Sequence, residues 1–152
     1  MKPLVVLLGV FGLSLMIIRL FTSFWNVDLA GNIAMCCMLC FTAIGHFKFA
    51  DGMAMMIPDP ISGKKTLVYA TGFFEVLLGI TLLFPAFRYM SGIATIIFLV
   101  LVLPMNIYAA FKHIDYEKAT FDGKGPAYLL FRIPIQIVYI GWIYYFSIKG
   151  GN

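Results

Sequence analysis

Five side chains of kinds that bind polar groups or move protons stand inside long apolar runs of this sequence: His46, Glu75, Asn106, Arg132 and Gln136. Such groups cost several kcal/mol in hydrocarbon, so a chain that keeps them there marks a site. An imidazole with a carboxylate can act as acid and base. With a guanidinium and amides, the pair can also hold the polar head of an otherwise apolar ligand. At 1.5 Å per helical residue from the ends of their runs, the five lie between about 5 Å (His46) and about 15 Å (Gln136) deep, all towards one side. Four runs contribute to this layer, which predicts a polar pocket. Glu75 and Arg132 fall within about 4 Å of each other in depth, which predicts a buried ion pair. The alternative on the same residues is that pair alone, with His46, Asn106 and Gln136 as interhelical contacts.

Gly72 and Gly79 share a helical face with Glu75 and let a neighbouring helix or a ligand come close to the carboxylate. Arg132 and Gln136 are four apart and share a face of their own. Pro104 and Pro134 free backbone carbonyls within their runs. Cys37 and Cys40 have the two-residue spacing of thiol redox pairs. With Cys36 they sit in one apolar run with no cation beside them to acidify a thiol, so redox use is the lesser reading and helix packing the greater. No Cys, His, Asp and Glu spacing supports a metal site. His113, Asp115 and Glu117 alternate in a loop that lacks the glycine turn of a calcium site, and they read as solvated.

The elements that position these groups are apolar helices. The chain has 152 residues, 62% hydrophobic and 12% charged, against roughly 25% charged in soluble domains. That balance excludes a soluble enzyme. A bilayer core takes about 20 apolar residues of helix, and five runs qualify: roughly 4–24, 32–49, 66–86, 90–111 and 127–147. The first continues past a typical signal-peptide core, without a clear cleavage site, and is expected to be retained. Residues 50–65 and 112–126, rich in Pro, Gly and Asp, read as turns. Met53 to Ile57 is apolar but too short to cross, and is expected to lie at the membrane surface or dip into it.

Lys2, Lys48, Lys64, Lys65, Lys112, Lys118 and Lys124 fall on the side of the N-terminus, and only Arg19, Arg88 and Lys149 on the other. The bias predicts an N-terminus in the cytoplasm and a C-terminus outside. The basic residues form no continuous stripe, so nucleic acid is not expected as a partner. Trp25, Tyr108, Tyr128, Trp142, Tyr144 and Tyr145 fall near predicted span ends, as interface anchors do.

From about residue 32 to residue 147 the chain resembles the DoxX-like membrane proteins. The resemblance rests on His46-Phe47, on Thr71-Gly72-x-x-Glu75-x-x-x-Gly79-x-x-Leu82-Leu83-x-Pro85, on Pro104-x-Asn106-Ile107, and on Arg132-x-Pro134-x-Gln136 followed by Trp142. It implies an all-α membrane protein: an antiparallel four-helix core over 32–147 with residues 4–24 as an added helix at its side, in one transmembrane domain in a bacterial inner membrane. The cysteines are not part of the pattern. The resemblance also implies two kinds of role. Some relatives are subunits of membrane oxidoreductases that pass electrons to quinone, whereas a distant animal branch, the receptor chaperone NACHO, helps other membrane proteins assemble. The expectation is an accessory or assembly component that binds a membrane lipid, a quinone or a partner helix in the polar layer. The second expectation is an oxidoreductase subunit or small enzyme in which Glu75 and His46 are acid and base.

Overall fold

The computed structural model describes residues 2–150, so Met1 and the C-terminal Gly151-Asn152 lie outside the described residues. The chain is helical: α1 (Lys2–Thr22), α2 (Val27–Lys48), α3 (Ala50–Met55), α4 (Lys64–Thr81), α5 (Pro85–Phe111) and α6 (Leu129–Ile143). A 3-10 turn over Gly125–Tyr128 leads into α6, and a π-helical segment over Tyr144–Lys149 ends it. Among the described residues there is no strand, only an isolated bridge between Asp115 and Thr120.

Four helical stretches are long and apolar enough to cross a membrane: α1, α2, α5 and the continuous Gly125–Lys149. α4 differs from these because its 18 residues include Lys64, Lys65 and Glu75.

Several boundaries depart from the sequence reading, each for a local reason. α2 starts at Val27 rather than near 32, because the Asn26 side chain accepts a hydrogen bond from the Leu29 amide at 3.0 Å and caps the first turn. The third and fourth helices divide at Leu82-Leu83-Phe84, upstream of the expected position. Pro85 does not end a helix there but opens α5, where its missing N–H is no loss and its fixed φ suits the first turn. Residues 50–65 are not all turn, since α3 occupies Ala50–Met55. Within Met53 to Ile57, Ala54 and Ile57 pack with Ala50 and Val68 into a small core of their own.

The main core is built on α2, which buries Ala34, Met35, Met38 and Leu39 against Leu78 and Leu82, Phe98 of α5, and Tyr139 and Ile143 of α6. α1 buries only Leu7, Ser14 and Ile18, a single stripe. Its Phe11 rests edge-on against Trp142, with ring centroids 4.9 Å apart.

Contacts gather several connections at one end. Lys2 lies 3.5 Å from Glu117, Lys64 lies 2.8 Å from Asp59, and Lys65 pairs with Asp51. Gly52 of α3 lies so close to the Tyr116 carbonyl that a Cβ there would collide with it. The loop after α5 therefore docks on α3 through a position that only glycine can fill.

Candidate functional site

α2 and α4 approach each other closely at a polar layer. Gly72 allows it: a Cβ at that position would stand 2.7 Å from the Cβ of His46. One and two turns further along, Glu75 and Gly79 continue the same face of α4, and a Cβ on Gly79 would meet the Cys36 carbonyl at 3.3 Å. The two glycines let the backbones approach, and the imidazole then lies over the carboxylate.

His46 Nδ1 stands 3.1 Å from the Val68 carbonyl and 3.1 Å from the Thr71 hydroxyl. That hydroxyl already donates to the Val68 carbonyl at 2.8 Å, so Nδ1 carries a hydrogen and donates to both oxygens. Nε2 then faces Glu75 Oε2 at 3.5 Å. With Nδ1 fixed as donor, attraction across that gap needs one further proton, held either by the imidazole or by the carboxyl group. Glu75 is 7% exposed, and its Oε2 is the buried side-chain oxygen without a hydrogen-bond partner among the described residues. Thr42, one turn before His46, stands beside the same carboxyl group.

The other three residues of the predicted layer divide differently. Arg132 is half-buried and close enough for its charge to act on both His46 and Glu75, yet it forms no ion pair among the described residues. The expected Glu75–Arg132 pair is therefore corrected: the carboxylate's close partner is His46. Depth along the membrane normal fixes a residue's height and not the face of the helix on which it stands, and Arg132 lies near Glu75 without ion-pair contact. Gln136 is buried and donates to the Leu99 carbonyl of α5 at 2.5 Å, one residue before the Val100 carbonyl that Pro104 leaves without its helical donor. Asn106 is buried and donates to the Val102 carbonyl of its own helix at 3.1 Å. Both amides make backbone contacts.

Two groupings escape a reading by single residues. Thr42 and His46 are four apart on α2, and Thr71 and Glu75 are four apart on α4, so each ionisable group carries a hydroxyl one turn back on its own face. That spacing is the signal the sequence offers for them. The second grouping lies near the start of α2, where Asn32 is fully buried. Its amide donates to the Asp28 carbonyl at 2.7 Å and the Phe146 carbonyl at 3.0 Å, and its oxygen accepts from Ser147 at 2.7 Å. Trp142 adds a bond from Nε1 to the Gly31 carbonyl at 3.0 Å.

Cys36, Cys37 and Cys40 are free thiols, the first buried, the second exposed and the third half-buried. None of the three is in a disulfide. Among the described residues no group of three or more His, Cys, Asp or Glu is placed to hold a metal ion.

The family described as Domain of unknown function (DUF8561) has a model that matches residues 35–147, most of the chain. The chain belongs to the DUF8561 family. The matched stretch contains His46, Glu75, Asn106, Arg132, Gln136 and all three cysteines, and begins within α2, after α1. No curated protein and no solved structure matches the chain.

Proposed function

We propose that this DUF8561 protein is a DoxX-like accessory or assembly protein of the membrane that binds a lipid, a quinone or a partner helix at the His46–Glu75 centre. One observation carries this reading: the buried Glu75 Oε2 has no hydrogen-bond partner. An unsatisfied buried oxygen costs about 1–3 kcal/mol, and a hydroxyl or amide donor brought by a ligand or by another helix recovers that cost. The protein crosses the bilayer five times in antiparallel order, with α4 as the fifth span, its N-terminus in the cytoplasm and the lysine-rich end inside. α4 crosses despite its charge because Lys64 and Lys65 stand at its very start, where long basic side chains reach the interface, and Glu75 is covered by α2.

Native mass spectrometry of gently extracted protein tests the reading. A stoichiometric small-molecule or partner mass on the wild type, absent from Glu75→Gln, is expected. A bare chain in both proteins overturns it.

The proton required between Nε2 and Oε2 supports a second reading, an oxidoreductase subunit or enzyme in which Glu75 and His46 exchange a proton with a bound quinol or another amphipathic substrate. A co-purifying quinone that is reduced and reoxidised by wild type, but not by His46→Gln, would favour this reading over a purely accessory role.

A further inference from the structure

Beside the His46–Glu75 centre lies a separate groove of about 290 Å³, between the start of α1 and the α6 face. Along its wall stand Lys124, in the loop before the 3-10 turn, Tyr128 at the end of that turn, and Arg132, Ile135 and Tyr139 of α6, the last four spaced four, three and four apart on one helical stripe. Pro3 of α1 closes the opposite side. Neither Lys124 nor Arg132 has an ion-pair partner among the described residues, whereas nearby Lys2 is held by Glu117 at 3.5 Å. The groove thus presents two cations without an ion-pair partner among the described residues, two tyrosines and apolar walls.

We infer that this groove is a binding site for an anionic phospholipid, whose phosphate is held by Arg132 and Lys124 while its acyl chains leave along Pro3 and Ile135. Three features favour a lipid over other anions. Arg132 stands within a stretch long and apolar enough to cross a membrane and has no carboxylate at ion-pair distance among the described residues, so its guanidinium can take an anion that lives at the same depth. A guanidinium offers two parallel N–H donors to one phosphate, and Tyr128, midway between the two cations, can add a hydroxyl donor. The volume is at the small end for a ligand pocket, enough to seat a head group with its tails outside. Basic pockets on the lysine-rich side of membrane helices select anionic head groups in this way. The inference rests on the proposed membrane placement but uses a different site from the His46–Glu75 centre.

The test is native mass spectrometry of the delipidated full chain, titrated with phosphatidylglycerol and, separately, with phosphatidylcholine of the same acyl chains. Wild type should retain the anionic lipid about tenfold better. Arg132→Gln with Lys124→Gln should bring that preference to within about twofold, and Arg132→Lys should keep most of it. Lys124 is exposed, so Lys124→Gln alone should fold normally and cut the preference about threefold. Glu75→Gln should leave the lipid preference intact while removing the ligand of the other centre, so that each site fails separately. Equal retention of the two lipids by wild type, or an unchanged preference in the Lys124→Gln protein, overturns the inference. Displacement of the lipid by millimolar inorganic phosphate would assign the groove to the free ion and overturn it as well.

Discussion

Two buried polar clusters hold α2 against its neighbours, and they make opposite use of their hydrogen bonds. Around Asn32 every polar atom is engaged: the amide donates twice, the oxygen accepts from Ser147, and Trp142 covers the Gly31 carbonyl. Around Glu75 one carboxylate oxygen is buried and unengaged, although His46, Thr71 and Thr42 all stand close. A cluster that satisfies itself is a clamp and has nothing left to offer a ligand. A cluster that leaves one acceptor open is costly to the apo fold and available to a donor from outside. Asn32 and Glu75 are both buried and polar, and the count of satisfied atoms tells them apart.

The largest effect should come from the clamp. Asn32→Ala removes three hydrogen bonds and strands Ser147, so it should lower stability in detergent by on the order of 3 kcal/mol, while ligand stoichiometry in the remaining folded protein stays at the wild-type value. Loss of ligand with little loss of stability would put Asn32 in a site and end the distinction. Gly72→Ala comes next, because the new methyl pushes on the Cβ of His46; thermal unfolding should register about 2 kcal/mol of destabilisation together with loss of ligand. Should Gly72→Ala destabilise and yet bind normally, His46 does not contribute to the centre.

Smaller changes are expected on removing charge from the centre itself. Glu75→Gln should stay within about 1 kcal/mol of wild type, since a costly unsatisfied oxygen is exchanged for an amide. Arg132→Gln should add to it independently, within about 0.5 kcal/mol, as expected for groups that share no bond. Partial recovery in the double variant, seen in a full thermodynamic cycle, would restore the Glu75–Arg132 ion pair and dissolve the contrast. The smallest effect belongs to the exposed Asp59, whose carboxyl is held below its ordinary value by the hydrogen bond and charge of Lys64. A depressed carboxylate contributes stability above its ordinary range and loses it as pH falls through the lowered value. The wild type should therefore lose slightly more melting temperature than Asp59→Asn between about pH 6 and about pH 3. An equal slope would show that this surface pair contributes nothing against which the buried clusters can be scaled.

The helices are legible in the sequence because an apolar run as long as the hydrocarbon layer is thick has little use outside a membrane, and the polar residues worth naming are legible because they interrupt those runs. Partner choice is not. Depth places Glu75 level with Arg132, but only the packing of Gly72 on His46 determines which side chain the carboxylate meets. Thr71 is legible only as part of a motif and Thr42 not at all, because threonine is ordinary in an apolar helix until an ionisable group stands one turn away. Asn32 escapes notice at the edge of a run, where an amide looks like a helix start, and the actual start is capped by Asn26. Pro85 reads from sequence as the close of one helix and is the opening of the next, an ambiguity that proline carries wherever two helices meet tightly.

The unequal lengths of α4 and α5 have a consequence for the surrounding bilayer. At 1.5 Å per residue, the 18 residues of α4 reach about 27 Å and the 27 residues of α5 about 40 Å, against a hydrocarbon slab of about 30 Å. Packed side by side, they give lipid a short face and a long face. In the proposed five-span arrangement, acyl chains beside α4 are drawn in, and those beside α5 must stretch unless that helix leans or lifts its last turn clear. Tyr108 and Lys112 at that end line a cavity of about 350 Å³ whose charged walls are Asp51, Asp59, Lys64 and Lys112 and whose apolar walls include Met55 and Phe121, surroundings suited to a turn that stands in the head-group region. The proposed five-span arrangement thus predicts a thickness step in the annulus, and the amount of thinning around the protein, measured by neutron reflectivity in bilayers of graded chain length, should be greatest in the thickest membranes.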